Sequence, residues 1–357
     1  MGMNLRSSLM YRVMAFGYAN ARVKAMKQGL LSQREMDTLM AAKGVGEVFA
    51  ALEKTSYRQD LVASALREKS LADQIELAAT KNFSAVLRRI VRITPKEAKG
   101  MVLALFDRYE INNIKIVLLA KHLGQNREQY NQFLMEIGIL SRGKFAKMLE
   151  AKGVRETVIE LAGTPYGKVL SKAMKEYEKD RDTGHMLSAL DNYYYARLSG
   201  AGAGPFWDER AIMKMLKAQA DAKNISSILR SKKEGFGEER IMKGVMFTGN
   251  MGRERLRQAA GAKNVEESAK LLDRGLGLSK AMESFRKTGS LIPVETAAEK
   301  GVAKKGLKIL RNSVLSIGAI VGLVLLKEEE VSNIRKIVRA KEFSLPMEQL
   351  QEMIVQV

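Results

Sequence analysis

The stretch GILSRGKF, Gly138 to Phe145, has the G-x-x-x-x-G-K spacing with which backbone N–H groups cradle nucleotide phosphates and a lysine neutralises them. The chemistry is incomplete, because Phe145 stands where a magnesium-binding Ser or Thr is needed and no strand precedes the loop. SGAGAGPF, from Ser199, lacks the strand and the downstream acid of a dinucleotide loop, so it reads as a helix-to-helix hinge. Metal chemistry has little to work with. His122 and His185 are the only histidines and lie far apart, and the absence of cysteine removes thiolate ligands, disulfides and cysteine nucleophiles. Most carboxylates stand four residues from a Lys or Arg, as in EKSLADQIE and NVEESAKLLDR, which is the spacing of helix-surface pairs rather than of a catalytic dyad. These residues imply no active site, no cofactor and no metal.

The elements that carry them are helical. Five prolines in 357 residues leave long runs of Ala, Leu, Met, Lys, Glu and Arg, the strongest helix formers, uninterrupted. In SYRQDLVASALREKSLADQIELAAT the residues Leu61, Ala65, Leu66, Ile75 and Leu77 recur at helical spacing, and no period-two run suggests a strand. The chain is expected to be all-α, broken at Gly44, Gly100, Gly153 and the SGAGAGP stretch. The N-terminal residues lack the unbroken apolar core of a signal peptide. The longest apolar run, Val314 to Leu326, would rise only about 20 Å as a helix, short of a bilayer core of roughly 30 Å. It is expected to be a buried or interface helix, and the protein not to span a membrane.

The chain repeats itself. LSQREMDTLMAAKGVGEVFAALEKTSYRQDL from Leu31 aligns without a gap on LSRGKFAKMLEAKGVRETVIELAGTPYGKVL from Leu140, with eleven of 31 positions identical. Chance would give about two. A third, divergent copy starts at Met251 and keeps Ala262, Lys263, Val265, Glu267 and Leu272, but loses the spaced Thr and Tyr. At the joints between copies stands an acid, then Asn-Ile three residues on, then a Lys: Glu110/Asn113/Lys121, Asp221/Asn224/Lys232 and Glu330/Asn333/Lys341. The spacing points to three helical units of about 110 residues, spanning 1–108, 109–219 and 220–357, the last with C-terminal closing helices. An acid and an Asn three residues apart share a helix face, so the pair is expected to clasp a neighbouring helix at each boundary.

YANARVKAMKQGLLSQREMDTLM, LEKTSYRQDL, YEINNIKIVLLAKHLG, DAKNISSILRSKK and KEEEVSNIRKIVRAKEF together resemble the C subunit of archaeal-type (A-type/V-type) rotary ATP synthases, the family that includes the vacuolar ATPase d subunit. The family tends to carry an aromatic residue before the Lys-Glu block, and this chain has LVLLKEEE there. The resemblance covers essentially the whole chain. It implies a funnel of three similar helical domains around a pseudo-threefold axis, held between the membrane proteolipid ring and the foot of the central stalk. It also implies a peripheral position on the cytoplasmic face of the membrane. Such a subunit performs no chemistry and transmits torque between ion flow and ATP synthesis or hydrolysis.

The formal charge of +20 calls for an acidic partner. Within the resemblance that partner is anionic lipid or an acidic stalk subunit. The alternative is a basic helical-repeat nucleic-acid binder, suggested by GRERLRQ and similar clusters. Against it, aromatic residues make up 6% of the chain and are not interleaved with Lys and Arg as stacking platforms are. YYYAR, from Tyr193, reads instead as a buried helix face. Gly318 and Gly322 would let a helix approach the ring closely, with ordinary core packing as the competing use.

Overall fold

The structure is a computed structural model describing residues 9–65, 70–125, 134–135, 137–201, 207–312 and 315–354. Among these residues every regular element is a helix. The first group comprises α1 (Leu9–Lys27), α2 (Gln33–Ala41), α3 (Val45–Leu52), α4 (Arg58–Val62), α5 (Leu71–Ile93) and α6 (Lys96–His122). Then follow α7 (Arg142–Glu150), α8 (Val154–Glu160), α9 (Pro165–Asp180), α10 (Gly184–Ala201) and α11 (Trp207–Lys233). The remainder are α12 (Glu238–Lys243), α13 (Arg253–Gly261), α14 (Val265–Leu272), α15 (Leu278–Thr288), α16 (Ile292–Asn312), α17 (Ile317–Glu342) and α18 (Met347–Met353).

Local chemistry explains the recurring boundaries. Ser32 and Ser141 accept the N–H three residues on, and Ser32 forms a full capping box with Glu35, so α2 and α7 start at matching points. The shared AKGV block ends one helix and caps the next. Gly44 and Gly153 are extended N-caps of α3 and α8, and Asn264 caps α14 in the third copy. Glu47 and Glu267 reach back to the N–H of Lys43 and Lys263 at 2.8 Å. Three long helices, α6, α11 and α17, end in one way. Gly124, Gly235 and Ser344 adopt left-handed backbone, and the residue after each donates to the carbonyl of Ala120, Ser231 or Ala340.

One expected break is absent. α6 runs straight through Gly100, whose exposed face meets nothing within 4 Å, because the stop is set by Pro95, which caps α6 after Thr94 closes α5. In the glycine-rich stretch α10 ends at Ala201 and α11 starts at Trp207, and residues 202–206 between them lie outside the described residues.

Each joint helix pairs with a second long helix: α6 with α10, α11 with α16, and α17 with α5 near the start of the chain. The last pairing is antiparallel, since Arg335 bonds Thr80 while Arg339, one turn on, bonds Glu76 and Asp73. A large apolar core joins residues of α1 to α11 with those of α17 and α18, and a second core lies among α11 to α16. Tyr194 and Tyr195 of the YYYAR segment are buried in the first. No helix among the described residues is long and apolar enough to cross a membrane.

Candidate functional site

The joint acids are buried. Glu110 accepts the backbone N–H of Leu140 at 2.5 Å with one oxygen and the Tyr166 hydroxyl at 2.7 Å with the other. Glu330 accepts the N–H of Leu31 at 2.5 Å and the Tyr57 hydroxyl at 2.6 Å. Asp221, one methylene shorter, accepts the N–H groups of Asn250 at 2.9 Å and Met251 at 3.0 Å. Leu31, Leu140 and Met251 are equivalent positions, each just ahead of the N-cap of a nine-residue helix, so each carboxylate also sits near the positive end of a helix dipole.

Glycine is required where the carboxylates arrive. A Cβ on Gly138, whose φ is +114°, would stand 2.3 Å from the Glu110 carboxyl, and one on Gly249 would meet Asp221 at 2.0 Å. The phosphate-loop spacing around Gly138 therefore holds an internal anion: its Leu140 N–H is taken by Glu110.

The asparagines act on single peptides. The Asn113 side chain donates to the Met135 carbonyl at 2.7 Å and accepts the Met135 N–H at 3.0 Å. Asn224 does the same with Met246 at 2.7 and 2.9 Å. Asn333 is buried and engaged as well. The lysines diverge. Lys121 donates to the Leu149 carbonyl at 2.5 Å, at the end of α7, whereas the half-buried Lys232 and Lys341 make no comparable side-chain bond among the described residues.

Electrostatic surroundings differ between the clasps. Burial pushes the Glu110 carboxyl above its usual range, against the hydrogen bonds that favour its charge, and nearby Asp107 adds to the rise. Asp107 is itself pushed up by burial and is held by Arg197. At Glu330 the residue one turn back is Lys327, buried to 2% exposure, with its Nζ 2.6 Å from the carboxylate and 3.0 Å from the Tyr57 hydroxyl. Burial lowers the Lys327 pKa, and Glu330 pulls it back up.

Two residues before each joint acid stand Arg108, Gln219 and Glu328, and these meet. The Arg108 guanidinium donates to the Gln219 side-chain oxygen at 3.3 Å and pairs with the Glu328 carboxylate. Equivalent positions of α6, α11 and α17 thus converge on one polar node.

The remaining candidates find ordinary places. Gly318 and Gly322 are buried along α17, among the chain's own core residues. His122 lies 3.1 Å from the Tyr177 hydroxyl and His185 lies 2.8 Å from Asp180. No metal-holding group of acidic or histidine side chains occurs among the described residues. The missed residues are Tyr57, Tyr166, Gly138, Gly249, Lys327 and the Arg108 node. The shared Thr and Tyr of the repeat were the one signal for the tyrosines.

The model of the ATP synthase (C/AC39) subunit family matches residues 19–353. The C subunit of the A-type ATP synthase of Methanocaldococcus jannaschii is 27% identical over 95% of this chain and 86% of that protein. That of Methanobrevibacter smithii is 28% identical over 94% and 87%, and that of Thermoplasma acidophilum 25% over 94% and 96%. Joint helices in register, clasped at equivalent turns, run through the span that the family model matches, and this chain belongs to the ATP synthase (C/AC39) subunit family.

Proposed function

We propose that this chain is a non-catalytic coupling subunit of an A-type rotary ATP synthase, standing between the membrane proteolipid ring and the central stalk. In this reading three units, residues 1–108, 109–219 and 220–357, surround a pseudo-threefold axis as a funnel, and the C-terminal helices close the third unit onto the first. It is peripheral to the membrane, on its cytoplasmic face. Its partners are the proteolipid ring and the stalk proteins, and its task is to pass torque between ion translocation and ATP synthesis or hydrolysis.

The observation that carries the reading is the family match over residues 19–353, and the node of Arg108, Gln219 and Glu328 supports a common axis for the three repeats. The clasps support it too. A coupler that stored rotation as internal strain would waste it, so densely packed units joined by buried polar contacts suit the task. The test is to purify the tagged chain from its own membranes in mild detergent and identify its companions by mass spectrometry. Proteolipid and stalk proteins that survive a moderate salt wash are expected. Nucleic acid that is lost as salt rises, without proteolipid, would overturn the reading.

A further inference from the structure

α1 is anchored by only part of its length. Phe16, Ala19 and Val23, three to four residues apart, are buried, and Asn20 donates to the Ser316 carbonyl ahead of α17. Ahead of Ala15, which packs partly against the core, Met10 is 75% exposed, Val13 47% and Met14 77%. Met10, Met14 and Tyr18, the last 69% exposed, follow at four-residue spacing and form one outward stripe. Met10 lies about 9 Å of helix ahead of Phe16, the first buried residue of α1 among the described side chains.

Charge says what this stripe meets. The first acid of the chain is Glu35, and ahead of it stand Arg6, Arg12, Arg22, Lys24, Lys27 and Arg34. A second basic group lies at the same end of the molecule. Because α5 runs antiparallel to α17, the C-terminal turns of α5 lie toward Ser316 and hence toward Asn20 of α1. Arg89 and Arg92 there, with Lys96 and Lys99 at the start of α6, are exposed.

We propose that this end of the molecule docks on an anionic lipid surface, the stripe of α1 entering the headgroup region while the basic residues behind it engage lipid phosphates. Interfacial helices bury an apolar face about 5–10 Å into the headgroup region, and the exposed stripe of Met10, Met14 and Tyr18 supplies such a face. Basic residues close to the surface add attraction that falls off within a Debye length. An acidic protein groove is the other occupant of suitable charge. The lipid is favoured because the exposed apolar stripe is accompanied by exposed basic residues both on α1, at Arg22, Lys24 and Lys27, and on the neighbouring α5 and α6, at Arg89, Arg92, Lys96 and Lys99, a spread of charge that suits an extended anionic surface. The proposal agrees with the coupling reading without depending on it.

The test uses the full chain and vesicle flotation, with vesicles of phosphatidylcholine alone or mixed with phosphatidylglycerol. Binding to the mixed vesicles only, weakened by salt, is expected. Combining Met10→Ser, Met14→Ser and Tyr18→Ser should lower it by about tenfold or more. Combining Lys168→Glu, Lys172→Glu and Lys175→Glu on the exposed face of α9 should change it far less, although it removes more positive charge. Equal losses in the two variants, or none in the α1 variant, would reduce the effect to net charge and overturn the proposal. Absence of binding to either vesicle would also overturn it and leave the stripe to a protein partner. None of these outcomes bears on which proteins co-purify with the chain.

Discussion

Glu110 and Glu330 hold the same register in two joint helices and accept the same pair of donors, a turn N–H and a tyrosine hydroxyl, yet they solve burial differently. Glu110 bonds residues 30 and 56 positions away, and an acid, Asp107, stands one turn behind it. Glu330 bonds residues 299 and 273 positions away, and a buried lysine stands at the matching place. Closing the longer loop costs more chain entropy. The contact that joins the two ends of the chain is the one that carries a compensating charge. Asp221 takes a third course, with no tyrosine and two consecutive turn N–H groups.

The sharpest way to break this comparison is Glu330→Ala, which strands Lys327 in the core and should destabilise by about 3 to 5 kcal/mol in denaturant melts. Glu110→Ala strands no cation and should cost less. A larger loss at Glu110 would show that the lysine is not what distinguishes the two sites. Next in size, Asn113→Ala and Asn224→Ala each leave a buried peptide without both partners and should cost about 1 to 3 kcal/mol. Asn333→Ala is expected in the same range. Unchanged melting of all three would remove the asparagines from the account.

Tyrosine deletion sharpens the contrast. Tyr166→Phe takes one of the donors from Glu110 and should cost about 1 kcal/mol, whereas Tyr57→Phe leaves Glu330 with Lys327 and should cost less. The reverse order would contradict the compensation argument. A pH-dependent effect concerns Glu329, beside the clasp. Burial, helped by Glu299 and Glu328 and opposed by Lys336, raises its pKa from 4.5 to about 7, and one of its oxygens is buried without a hydrogen bond. A raised carboxyl pKa means that the folded chain binds the extra proton, so its contribution is present at low pH and lost as pH rises from 4.5 to about 7. Glu329→Gln should flatten that loss and melt higher than the parent at pH values above the window.

Much of this was legible from the repeat. Glu110, Asn113 and their counterparts were found by register, and helical spacing identified the class of every element. Which distant turn each acid faces was not readable, because periodicity assigns equivalence and not contact. The Leu31–Glu330 bond links opposite ends of the chain, where no local pattern reports proximity. The lysine column misled for the same reason: Lys121 reaches a helix end, and at Lys232 and Lys341 the same residue type is retained without the bond. Gly100 showed that glycine weakens a helix without ending it when the stop is set elsewhere.

The measurement that bears most directly on the closed chain is native-state hydrogen exchange at three backbone amides, those of Leu31, Leu140 and Met251, in the parent and in Glu330→Ala. The account predicts that all three are protected in the parent and that the variant releases Leu31 far more than the other two. A Leu31 amide that exchanges in the parent as fast as an open turn, or that is unmoved by the substitution, would contradict it.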